Sequence, residues 1–203
     1  MSAVTAPSAS AARVTRQDRR AERLARGAAR RAHRAERRRL KRQDRLSVQL
    51  VELHAMTDLL DRAAEVVAGG WVQGAWFTVA TEQGSRAVTA YDLPVLRSRP
   101  VTGACLVGSV VQAAGGPTTV RSQLVQRTLD AVGHTVHEDP ARPLQWCPGP
   151  RMRTLGVLEL THWNDAPGRT QQEVVDLLRS SRRTVEVERE RCFAEKAALV
   201  PAR

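Results

Sequence analysis

The sequence predicts an α+β fold, mostly α: a small helical domain with a short β-hairpin, preceded by a basic helical or disordered arm. Three observations carry this expectation. The whole formal charge of +11 sits in residues 1–45. Apolar residues recur at three- and four-residue steps in several separate segments, which is helical periodicity. One pair of short β-prone runs flanks Glu82-Gln83-Gly84, the pattern of a hairpin.

Residues 1–45 form the arm. Fifteen Arg or Lys, from Arg13 to Arg45, face four acids there: Asp18, Glu22, Glu36 and Asp44. The other 158 residues hold 17 basic and 17 acidic side chains and are neutral. Such asymmetry reads as a tail for a polyanion: nucleic acid, an anionic membrane surface or an acidic protein. Residues 1–12 are small and polar, which predicts disorder. Residues 13–45 are rich in the helix formers Ala, Arg, Glu and Leu, and Glu22 with Arg26 makes a supporting pair at spacing four. The only large apolar residues there are Val14, Leu24 and Leu40. A helix polar on every side has no core to hold it, so the arm is expected to order on a polyanion.

Residues 46–203 are long enough for one domain with its own core. In 46–68, Leu53, Met56, Leu60, Ala63, Ala64 and Val67 mark one apolar helical face, stopped at Gly69-Gly70. The runs Trp76–Thr81 and Arg86–Tyr91 make the hairpin. Residues 92–101, with Pro94 and Pro100, read as a loop. Ala104–Ala114 is an apolar helix ended by Gly115-Gly116-Pro117. Thr118 or Thr119 then caps a helix whose stripe is Val120, Leu124, Val125, Leu129 and Val132, ended by Gly133. Residues 134–153 hold four prolines and read as a long loop. Leu155–Trp163 leans to helix. Asn164–Arg169 is a turn, and Thr170 with Glu173 matches a capping box at the start of a Val/Leu-rich helix. Residues 184–203 read as a charged helical tail projecting into solvent.

Few constellations carry chemistry. His134 and His137 have a spacing that can share a metal ion on a helix, but Gly133 and Pro140 bracket them and no third ligand is evident, so a solvated loop is expected and no metal. Cys105, Cys147 and Cys192 are odd in number, widely spaced and without a CxxC, which reads as reduced thiols in the cytoplasm. Of these, Cys147 on its loop is the best placed to react. No nucleophile elbow, phosphate-cradling loop or dinucleotide fingerprint is present. No catalytic residue and no cofactor is assigned. No apolar run approaches the roughly 20 residues of a membrane span, and no secretory h-region opens the chain. Only two of the basic residues are lysines, a bias of GC-rich bacterial or phage genomes.

The arm supplies the leading partner. Guanidinium forms bidentate pairs with phosphate oxygens, which nominates Arg19, Arg20, Arg23, Arg30, Arg31, Arg34, Arg37, Arg38, Arg39, Lys41 and Arg42 for nucleic acid, DNA or RNA. The arm carries no aromatic residue to stack on bases, so its binding is expected to ignore sequence. Four of the seven aromatic residues are tryptophans, Trp71, Trp76, Trp146 and Trp163. They are expected to pack between hairpin and helices.

Three short segments carry a resemblance: Gly70-Trp71-x-Gln73-Gly74, Ala104-Cys105-Leu106-x-Gly108, and Trp163-Asn164-Asp165-x-Pro167-Gly168-Arg169-Thr170. Together they resemble family 6197, a domain-of-unknown-function family of bacterial and phage proteins frequent in actinobacteria. The resemblance covers about residues 56–182 and implies a compact α-rich fold with no established reaction. Its last segment has a structural reading, a turn with a helix cap, and a functional one, a polar site of Gln73, Trp163, Asn164, Asp165 and Arg169. The structural reading predicts that Asp165→Ala lowers the thermal midpoint. The sequence thus reads as an accessory protein associated with nucleic acid through its arm. A regulatory module docking on an acidic protein is the alternative, and a small enzyme a third class. The oligomeric state is left open.

Overall fold

The computed structural model describes residues 9–89, 92, 99–138 and 142–200, with side chains of the first helix from Asp18 onward. Five helices surround a small three-stranded sheet, in the order α1 (Ala9–Gly69), β1 (Phe77–Thr81), β2 (Gly84–Val88), β3 (Val101–Ala104), α2 (Leu106–Ala113), α3 (Gln123–His137), α4 (Pro150–Asp165) and α5 (Gln171–Ala198). The fold is therefore α+β and mostly α. No described helix is long and apolar enough to cross a membrane.

Helix α1 is continuous through arm and domain. Its C-terminal half buries Leu46, Leu53, Met56, Leu59, Leu60, Ala63 and Val67. Leu46, Leu53, Leu60 and Val67 are seven residues apart, so one seam of the helix stays turned toward its partner. That partner is α5, the most extensive helix contact in the molecule. The two run antiparallel, since Gln171 at the start of α5 donates to Val67 O (2.6 Å) and Ala68 O (3.1 Å) at the end of α1. At the other end, Arg39 and Gln43 donate to Leu199 O at 3.1 and 3.3 Å. Each helix thus has terminal carbonyls satisfied by a side chain of the other.

The expected tail in solvent is corrected here. Helix α5 buries Val174, Val175, Leu177, Leu178, Ser181, Thr184, Val185, Glu188 and Cys192, so it packs to within two turns of its end. Burial of the small apolar stripe Val185 and Cys192 outweighs the charge of the surrounding face. The capping box at Thr170 and Glu173 is present in both directions.

Strands β1 and β2 pair antiparallel from Phe77 with Val88 to Thr81 with Gly84. The turn is Glu82-Gln83, and Gly84 follows it with φ +120°, a conformation that costs glycine little. Tyr91 and Pro94, expected in the hairpin and its loop, lie outside the described residues. Strand β3 pairs with the other edge of β1, giving the order β2-β1-β3. This strand corrects two expectations: Val101 is not loop, and Ala104 ends a strand instead of beginning a helix. Four residues carry too little periodicity to announce themselves, and β1 supplies their hydrogen bonds.

Helix α2 is wrapped by the core from Leu106 to Val111. Gly115 and Gly116, both at positive φ, end it. The cap of α3 is Ser122, whose hydroxyl accepts from Val125 N, and not Thr118 or Thr119. Gly133 does not end α3, which continues to His137 and buries Val132 and His134 on the way. Tertiary packing there outweighs the roughly 1 kcal/mol that glycine costs a helix. The expected loop 134–153 shrinks from both ends, because Pro150 begins α4, where its missing N–H costs nothing. Asp139 and Pro140 lie outside the described residues. One hydrophobic cluster joins all five helices and the sheet, and the four tryptophans lean on it half-buried.

Candidate functional site

The polar residues singled out by sequence do come together, around the amide of Asn164. Asn164 is the buried next-to-last residue of α4. Its Oδ1 accepts from the indole Nε1 of Trp71 (2.9 Å) and from the backbone N of Leu106 (3.0 Å). Its Nδ2 donates to Val72 O (3.1 Å) and to Asp165 Oδ1 (2.7 Å). All four hydrogen-bonding positions of the amide are filled. Asp165 Oδ1 also accepts from Gly74 N at 3.0 Å. Gln73 donates to Asn164 O (3.0 Å) and Ala166 O (3.2 Å), closing the end of α4. Arg169 donates from Nε to Trp163 O (3.1 Å) and lies 3.8 Å over the Trp163 ring.

Three segments far apart in sequence therefore meet at one side chain. The 70–74 loop contributes Trp71, Val72, Gln73 and Gly74; the strand-to-helix corner contributes Leu106; the end of α4 contributes Asn164 and Asp165. The glycines of these segments have steric reasons. A Cβ on Gly70 would stand 2.3 Å from Thr102 O, and one on Gly108 would stand 2.1 Å from Trp76 O. Gly74 and Gly168 have φ of +70° and +80°. Cys105 caps α2, its sulfur accepting from Gly108 N at 3.3 Å. Burial pushes its thiol up to about 11, against the lowering effect of the backbone amides of Gly108 and Val107. A thiol in that state is a cap and not a nucleophile. What this constellation does chemically is join three chain segments; its donors and acceptors are engaged with the backbone and with each other.

A second cluster escaped sequence reading. A cleft of about 150 Å³ between α3 and α4 is lined by Leu129, Asp130, His137, Cys147, Met152 and Arg153, among others. Asp130 Oδ2 accepts from Cys147 N at 3.2 Å and stands 3.9 Å from Arg153 Nε. Burial raises the Asp130 carboxyl, opposed by the Cys147 amide and by Arg153. Cys147 turns its backbone, not its sulfur, to that carboxylate, and its thiol donates to Gly149 O at 3.5 Å. Nucleophilic catalysis needs a base within reach of the sulfur, and the hydrogen bond of the thiol goes instead to a carbonyl. Only the path of the chain after α3 brings residue 147 to residue 130. His134 and His137 lie on α3: the first is buried, and the second is exposed, 3.7 Å from Glu159. Among the described residues, no three His, Cys, Asp or Glu stand close enough to hold a metal ion.

The arm is the third feature. From Asp18 to Arg38 every residue except Gly27 is exposed. Two of the nominated cations are committed to protein contacts. Arg39 donates to Leu199 O and to Glu36, and Arg42 grips Glu195 with two bonds of 2.6 and 2.7 Å. Among the described residues, Arg19, Arg20, Arg23, Arg30, Arg31, Arg34, Arg37, Arg38 and Lys41 make no ion pair, while Arg26 pairs with Glu22.

Fold and junction define a small helical domain built on a polar clasp, with a basic helix extending from it. Residues 51–184 match the model of a family of unknown function, DUF6197, and the chain belongs to that family. No curated protein and no solved structure matches it. The matched segment contains the whole Asn164 junction and leaves outside it both the arm and the last turns of α5.

Proposed function

We propose that this is an accessory nucleic-acid-associated protein of the cytoplasm, tethered by its arm without regard to sequence. One observation supports this reading above others: nine cations that make no ion pair among the described residues, eight of them arginine, stand exposed on a single helix between Arg19 and Lys41. Packed side by side on a core-free helix they repel one another, and a polyphosphate relieves that repulsion while releasing its counterions. Guanidinium suits phosphate oxygens better than ammonium does.

The test is fluorescence anisotropy of labelled DNA and RNA across a salt series. The full chain is compared with a variant carrying Arg→Ala at 19, 20, 23, 30, 31 and 34. Those six positions leave the Arg39 and Arg42 contacts to α5 intact. Wild type should bind with a steep log–log salt slope, at about 0.9 ions per phosphate, and the variant's slope should be shallower by about five. Absence of binding by wild type at low salt sinks the reading and turns the search to acidic protein partners.

A further inference from the structure

Resting on that reading, we propose that the arm binds as a one-sided helix in the major groove of duplex DNA. The warrant is the angular placement of its side chains. At about 100° per residue, the nine cations without an ion pair fall within an arc of about 120°. One side of the arc holds Arg19, Arg23, Arg30, Arg37 and Lys41; the other holds Arg20, Arg31 and Arg38; Arg34 lies between. The opposite sector holds alanine at 21, 25, 28, 32 and 35 together with Arg39, which bonds to the end of α5, and the sector beside it carries Asp18, Glu22 and Glu36. A polyelectrolyte tail needs no such sorting.

The dimensions suit one nucleic-acid form. A helix with its side chains is about 10–12 Å across, and the major groove of B-DNA is about 12 Å wide. Two rows of guanidinium about 90° apart then reach the two phosphate walls, while alanine and the acids face solvent. A-form RNA offers a deep, narrow major groove that does not admit a helix. Single strands offer no groove, and the described arm has no aromatic side chain to stack on their bases.

The experiment keeps charge and composition and changes only the face. In the full-length chain, three exchanges each carry one arginine about 200° around the helix: Arg23→Ala with Ala25→Arg, Arg30→Ala with Ala28→Arg, and Arg34→Ala with Ala32→Arg. Both residue types are strong helix formers, and all of these positions are exposed. Wild type should prefer duplex DNA to double-stranded RNA and single-stranded DNA of the same sequence. The exchanged protein should bind duplex DNA at least about tenfold more weakly, its salt slope shallower by about one per displaced guanidinium. A second set, Arg19→Ala with Ala21→Arg and Arg37→Ala with Ala35→Arg, should act in the same direction, which guards against one faulty variant. Equal duplex affinity before and after both exchanges overturns the inference, as does equal wild-type affinity for double-stranded RNA; in either case the arm still tethers the protein to nucleic acid. Failure of wild type to bind any of the three removes the arm reading as well.

Discussion

Replacing Asn164 by alanine tests whether the junction is a structural clasp. The change removes four hydrogen bonds and leaves the Trp71 indole N–H, the Leu106 amide and the Val72 carbonyl without their partner. Each buried orphan costs about 1–3 kcal/mol. Relaxation of the exposed 73–74 loop returns part of this, so about 3–5 kcal/mol is expected, a large share of the roughly 5–15 kcal/mol that holds a domain together. For a chain of this size the thermal midpoint should fall by about 10 °C or more. Circular dichroism at the helical band gives the midpoint, and tryptophan emission should shift to the red as Trp71 loses its acceptor. Asp165→Ala removes an acceptor for Gly74 N and Asn164 Nδ2 at a half-buried position where water can substitute, so the loss should be nearer 1 kcal/mol. Asn164→Asp discriminates further, because it sets a carboxylate oxygen against Val72 O or against Asp165. Its loss should be severe at neutral pH and should lessen in acid, where the new carboxyl regains a proton to donate. A wild-type midpoint for Asn164→Ala would refute the clasp and revive a ligand site at these residues.

Two further outcomes follow from the same geometry. Gly108→Ala forces a methyl to within 2.1 Å of Trp76 O; the shift of α2 off the sheet should cost about 1–3 kcal/mol or more, read by denaturant titration, and an unchanged midpoint would mean that the corner is looser than described. Thiol titration should label Cys147 first, because burial pushes both Cys105 and Cys192 up to about 11, with Glu188 adding to the effect at Cys192; rapid labelling of all three in the native state would contradict this.

What the sequence made legible was local. The apolar face from Leu53 to Val67, the turn at Glu82-Gln83, the double-glycine stop at 115–116 and the capping box at Thr170 each lie within a few neighbouring residues, and each stands where the periodicity and turn chemistry put it. The misplaced elements all depend on partners distant in the chain. Strand β3 exists because β1 offers an edge; α3 passes Gly133 because Val132 and His134 are buried; the end of α5 is held by Arg39, Arg42 and Gln43 on α1. The same division runs through the site. The residues Gln73, Trp163, Asn164, Asp165 and Arg169 were visible as a group, without Trp71, and the sequence left open whether they were a clasp or a pocket. Only the bonds across more than 90 residues show that the 70–74 loop locks onto the end of α4. The contacts of Arg39 and Arg42 with α5, some 150 residues away, gave no local sign at all.

Helix α1 has one more consequence. Because the arm and the core seam are turns of one helix, the arm behaves as a cantilever whose root is clamped by the end of α5, and not as a string. A string would let its guanidinium groups wander; a cantilever fixes their compass bearing about the helix axis. Inserting a single alanine between Arg45 and Leu46 would leave the charge untouched yet swing every guanidinium of the arm about 100° around that axis. The segments of the chain outside the family match, the arm and the last turns of α5, are thus beam and bracket of one device bolted to the shared domain.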